Sequence, residues 1–103
     1  MYARMVIGET VSEKQIHEFS QIYASDVLPD LEREPGFEYG RFLVEDGGRM
    51  AVALTVWKTR EDCLRYHSGR SYRQFVNRTQ HLLVGDFVVK LFREGCTPLN
   101  SEN

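Results

Sequence analysis

Residues 50–57, MAVALTVW, constrain this chain more than any other segment. They read as a strand that is apolar on both faces apart from Thr55. A chain of 103 residues holds one core, and helices packed on one side of a sheet leave its other side bare. A bare face rich in Val, Leu and Phe is an aggregation hazard. The simplest resolution is a second copy packed sheet to sheet, an isologous homodimer.

The rest of the chain supplies the partners of that strand. Residues 1–8, MYARMVIG, alternate, with Ala3, Met5 and Ile7 on one face and Tyr2, Arg4 and Val6 on the other. Ser12 and Gln15 form a capping-box pattern ahead of a helix over about 13–33, marked by Ile16, Phe19, Ile22, Tyr23, Val27, Leu28 and Leu31. Pro29 predicts a kink or break there. Phe37–Val44 reads as a second strand with Phe37, Tyr39, Arg41 and Leu43 on one side, and residues 45–49, EDGGR, as a hairpin turn. Thr59 caps a second helical segment that Ser68-Gly69 interrupts before a pattern resumes near Ser71. Gly85-Asp86 turns into a last strand, 87–93, and 95–103 reads as a flexible C-terminal tail. The order β-α-β-β-α-β predicts an α+β, ferredoxin-like domain over 1–94, an antiparallel sheet with its helices on one face.

Composition narrows the function classes. Thirteen basic against fifteen acidic residues give a net charge of -2. No basic stripe stands out, which argues against nucleic acid and against an electrostatic membrane anchor. Arg4, Glu9, Glu13 and Lys14 deny residues 1–15 a secretory apolar core, and no apolar run approaches the ~20 residues of a membrane span. Cys63 and Cys96 lie too far apart for a zinc knuckle and read as reduced thiols, so the expected location is cytoplasmic. The three histidines are too scattered for a metal site.

The opening strand, Pro35-Gly36-Phe37, Leu54-Thr55-Val56-Trp57 followed by Thr59-Arg60-Glu61-Asp62, and then His67, Ser71 and Tyr72 resemble the antibiotic biosynthesis monooxygenase family. The resemblance covers about residues 1–94. It implies a dimeric α/β barrel and, for the activity, a monooxygenase that works without a cofactor on a small aromatic, a hydroquinone or polyketide-like phenol. The alternative it leaves is a non-catalytic dimeric small-ligand-binding protein using the same cavity. A haem-handling protein is the weakest reading. The haem-degrading branch resembles this chain through the same Leu-Thr-Val-Trp segment, but has an asparagine in the first strand, where Met5, Val6 and Ile7 stand. Its helical tryptophan falls on Tyr66 and its histidine ligand near Val76.

Oxidation of a phenol by dioxygen needs a base, donors for the developing oxyanion and an apolar pocket. His67 is the base by residue type, since an imidazole titrates near neutrality; its position before Ser68-Gly69 equally suits a helix-terminal cation. Trp57 either lines the pocket, donating its indole N–H to substrate, or caps the barrel edge as core. Tyr66 and Tyr72 meet in one cavity only if the break at Gly69 turns the second segment. Tyr72 joins His67 and Trp57 as a catalytic candidate. Tyr66, Arg41, Phe75 and Asn77 are the substrate-binding candidates, with Arg41 read either as an anion partner or as an interface ion pair.

Overall fold

The computed structural model describes residues 1–96, and the expected tail lies outside the described residues from position 97 on. In chain order stand strand β1 (Tyr2–Glu9), helices α1 (Glu13–Ile22) and α2 (Leu28–Arg33), strands β2 (Phe37–Val44) and β3 (Met50–Trp57), helices α3 (Arg60–His67) and α4 (Arg70–Thr79), and strand β4 (Val88–Arg93). The strands form one antiparallel sheet in the order β2-β3-β1-β4. This is the expected ferredoxin-like arrangement, with α1–α2 forming one covering helix and α3–α4 the other.

The sheet register fixes which side chains meet the helices. Arg4 lies opposite Thr55 on β3 and Leu91 on β4, so Tyr2, Arg4 and Val6 share the inner face with Thr55 and Trp57. Ala3, Met5 and Ile7 take the outer face, in line with Val52, Leu54 and Val56. On the outer side Tyr39, Leu43, Val88 and Phe92 are exposed. One apolar face of the sheet is therefore covered by helices and the other is bare.

Strand β2 departs from the expected alternation. A register shift between Phe37 and Tyr39 lets Phe37 face Trp57 on the core side, while Tyr39, Arg41 and Leu43 turn outward. The irregularity inserts one residue into the pleat, which reverses the face of everything beyond it. Phe42 thereby points inward and stacks on Tyr23 at 4.4 Å between ring centroids.

The irregularity expected at Pro29 takes the form of a widened turn. The helix neither breaks nor stops there; it widens just ahead into a π turn over Tyr23–Val27, closed by the Leu28 N–H on the Tyr23 carbonyl. A proline ring clashes with the carbonyl four residues back and offers that carbonyl no N–H. The wider turn eases both problems. It also aligns Phe19, Tyr23, Val27 and Leu31, all buried, which recur at every fourth residue and would drift by about 40° per step on an α-helix. At the start of α1, Ser12 bonds the Gln15 side chain rather than a free backbone N–H, a variation on the expected capping box. Thr59 does cap α3, accepting from the Asp62 N–H at 3.1 Å. The Asp62 carboxyl is held below its ordinary range by hydrogen bonds from Thr59 and Arg65.

Candidate active site

Between the sheet and the helices the interior divides in two. Toward α1 it is packed with rings: Phe19 lies 5.7 Å from Phe42 and 5.5 Å from Phe75, and Phe75 stacks on Phe87 at 5.6 Å. Toward α3 and the start of α4 it holds a cation. Arg4 is 2% exposed, and it reaches from β1 into a nest of aromatic side chains. Its guanidinium carbon sits 4.0 Å from the centre of the Tyr72 ring and 5.5 Å from that of Tyr66. Its Nε–H donates to His67 Nδ1 at 3.0 Å.

The break at Ser68-Gly69 builds this constellation. It ends α3 and restarts α4 at Arg70, so residues five and six apart converge instead of facing opposite sides of one helix. His67 stacks on Tyr72 at 5.5 Å, and Tyr66 lies 6.2 Å from Tyr72. Behind them Trp57, fully buried, stacks on Tyr66 at 5.3 Å and donates its Nε1–H to Thr55 Oγ1 at 3.0 Å. That indole N–H is occupied within the protein. In this arrangement Trp57 backs the tyrosine and offers no donor to a ligand.

The electrostatics follow from the buried cation. A nitrogen that accepts from Arg4 carries no proton of its own, so the neutral imidazole of His67 bears its proton on Nε2. Burial, and then the Arg4 charge, push the His67 pKa below its ordinary value. Burial raises Tyr66 strongly and Tyr23 to about 12, in each case against the pull of Arg4. Both phenols stay protonated at neutral pH, so neither supplies Arg4 with a phenolate partner. Among the described residues no carboxylate forms an ion pair with Arg4, and its Nη2 is buried without any hydrogen-bond acceptor.

Open space near this cluster is unevenly distributed. The interior void bordered by Arg4, Thr55, Tyr66, Tyr72 and Phe75 amounts to about 10 Å³, roughly the room for one water-sized atom. A groove of about 400 Å³ is lined by Tyr72 together with Val76, Asn77, Leu83 and Phe87. Tyr72 borders both spaces.

The structure thus brings together His67, Tyr72 and Tyr66, with Trp57 behind them and Phe75 at the boundary with the packed rings. Asn77 stands apart, exposed at the groove. Of the two readings of Arg41, its place on the uncovered sheet face leaves the interface one open; its side chain donates to the Gly40 carbonyl at 2.8 Å and approaches the Tyr39 ring. The outward turn of β2 removes it from any site containing His67. The residue that sequence reasoning missed is Arg4. Its signal was a lone charge alternating with Tyr2 and Val6, which points inward only once the helix-covered face is known. Among the described residues no group of three His, Cys, Asp or Glu side chains could hold a metal ion.

No family model and no curated protein matches the sequence. Solved structures do match the fold. A monooxygenase from Streptomyces coelicolor in complex with nanaomycin D is 14% identical with a TM-score of 0.78, over 94% of this chain and 91% of that one. SnoaB, a cofactor-independent oxygenase from Streptomyces nogalater, is 18% identical with a TM-score of 0.77, over 96% and 97%. An antibiotic biosynthesis monooxygenase is 14% identical with a TM-score of 0.77, over 95% and 100%. The ferredoxin-like fold of the single chain is the one expected from the family resemblance; at these identities the likeness extends to the fold alone.

Proposed function

We propose that this protein is a cofactor-independent monooxygenase acting on a small hydroxylated aromatic, with Arg4, His67 and Tyr72 at its centre. The observation that carries the reading is the hydrogen bond from buried Arg4 to His67 Nδ1 beneath the Tyr72 ring. It holds an unprotonated imidazole beside a cation. A phenolic hydroxyl that takes Arg4's place at Nδ1 transfers its proton there, and the released guanidinium donates to the oxygen as it gains charge. The electron-rich ring anion then reacts with dioxygen. The ring carbon loses its one hydrogen and the phenol its proton, the carbon gains one oxygen as a carbonyl, and the second oxygen leaves as water with both hydrogens, so the substrate supplies all the electrons. The cofactor-independent oxygenase of the same fold supports this chemistry by analogy.

The substrate ring is assigned to the groove along Tyr72 and Phe87, whose volume suits a small aromatic. Oxygen-electrode assays on a panel of anthrones and hydroquinones test the reading. Uptake above the buffer blank that is lost in His67→Ala supports it, and no uptake on any of them rejects it. Should the panel instead stabilise the protein thermally without oxygen uptake, the ligand-binding alternative takes its place.

The assembly belongs to the same reading. Exposed Tyr39, Leu43, Val88 and Phe92 on the uncovered sheet face are assigned to a second copy of the chain. Light scattering at micromolar concentration should give a 24 kDa particle, twice the 12.0 kDa chain mass. A 12.0 kDa species alone rejects the homodimer.

A further inference from the structure

We infer that Arg4 is a receptor for an oxyanion borne on an aromatic ring, so that the ligand of this site is an aryl carboxylate or an acidic phenol bound in its ionised form. The inference rests on the proposed aromatic site and adds the charge state and chemical class of what occupies it. Burying a guanidinium is costly, and proteins ordinarily set a carboxylate against it. Here the cation is 98% buried, taking the complement of its 2% exposure. Among the described residues its guanidinium meets two tyrosine faces and a neutral imidazole, with the neutral Tyr23 phenol and Cys63 thiol within reach of its charge.

Ring faces stabilise a cation only partly, and they leave its in-plane N–H groups without acceptors. One of those groups, on Nη2, has no acceptor at all among the described residues. Guanidinium N–H groups pair best with oxyanions lying in their own plane. The adjoining void of about 10 Å³ is bordered by Arg4, Tyr66 and Tyr72 and accommodates one oxygen atom. Tyr72 borders both this void and the groove assigned to the aromatic body.

Three naphthalene probes, measured by calorimetry and absorbance on the whole chain, test the inference and separate the two oxyanion sources. If the oxyanion is a carboxylate, 2-naphthoate binds at least tenfold more tightly than its neutral counterpart 2-naphthamide. If it is a phenolate, bound 2-naphthol shows its naphtholate band at least one pH unit below the free compound. Either result, abolished in Arg4→Met and partly kept in Arg4→Lys, supports the receptor. Should Arg4→Met fail to fold, the wild-type comparison of naphthoate with naphthamide still decides. Equal binding of the charged and neutral probes with no shift in naphthol ionisation overturns the inference while leaving the aromatic site standing. No binding of any probe overturns both.

Discussion

The two halves of the helix–sheet interior use the same residue class to opposite ends. Around Phe19, Phe42, Phe75 and Phe87 the rings meet one another and the Tyr23 ring, in stacked and edge-on pairs. Around Arg4 the rings of Tyr66 and Tyr72 face a charge that no acid among the described residues neutralises. The first arrangement removes apolar surface from water and stabilises the fold. The second retains a desolvation cost that a purely structural core would avoid. Aromatic content alone does not distinguish a core from a site; what distinguishes them is whether every polar group inside has its partner.

That contrast can be broken in order of effect. The largest belongs to chemistry: His67→Ala should lower turnover by about 10²–10⁴-fold in oxygen-uptake assays, at a stability cost of about 1–3 kcal/mol for the Arg4 Nε–H left without its acceptor. Phe19→Ala, in the packed half, should do the reverse. It should cost about 3–5 kcal/mol of stability, read as a lower denaturant midpoint, while the protein that remains folded keeps its kcat. An Arg4→Met chain should be as stable as the wild type or more stable by about 1–2 kcal/mol. A loss of several kcal/mol there would mean that the cation serves the fold. The smallest effect is in pH. Because His67 titrates below its unfolded value, near 6.5, the unfolded chain takes up the proton first as pH falls. The stability tied to this group is intact above about 6.5 and declines as pH drops from there through the lowered folded value. Comparing denaturant midpoints of wild type and His67→Gln from pH 7 down to pH 5 should show this slope in the wild type alone. The acid limb of the activity profile should likewise lie below 6.5.

Much of this was legible in the sequence where period and punctuation agree. The alternation of residues 1–8, the EDGG turn and the Thr59 cap each specify local geometry. The inward aim of Arg4 was not legible, because Ala3, Met5 and Ile7 form the more apolar face of β1 and yet point away from the helices. A strand apolar on both sides carries no mark of which side the helices choose. Phe37 was placed on the wrong face for a related reason: one extra residue between Phe37 and Tyr39 sets it on the face opposite to Tyr39, Arg41 and Leu43. His67, Tyr66 and Tyr72 could be grouped only conditionally, since their meeting depends on the angle at Gly69.

The widened turn over Tyr23–Val27 has a genetic consequence. A turn closed over five residues in place of four carries one residue more than the α path between the same ends. Deleting Ala24 or Ser25 would restore a regular ladder but set the ring of Pro29 against a carbonyl with no room to tilt away. Replacing Pro29 with alanine would remove that obstacle, yet with the chain at full length the every-fourth spacing of Phe19, Tyr23, Val27 and Leu31 still favours the wide turn. Deletion and replacement are therefore an epistatic pair. The shortened helix becomes accessible to this lineage through the proline first and the lost residue second.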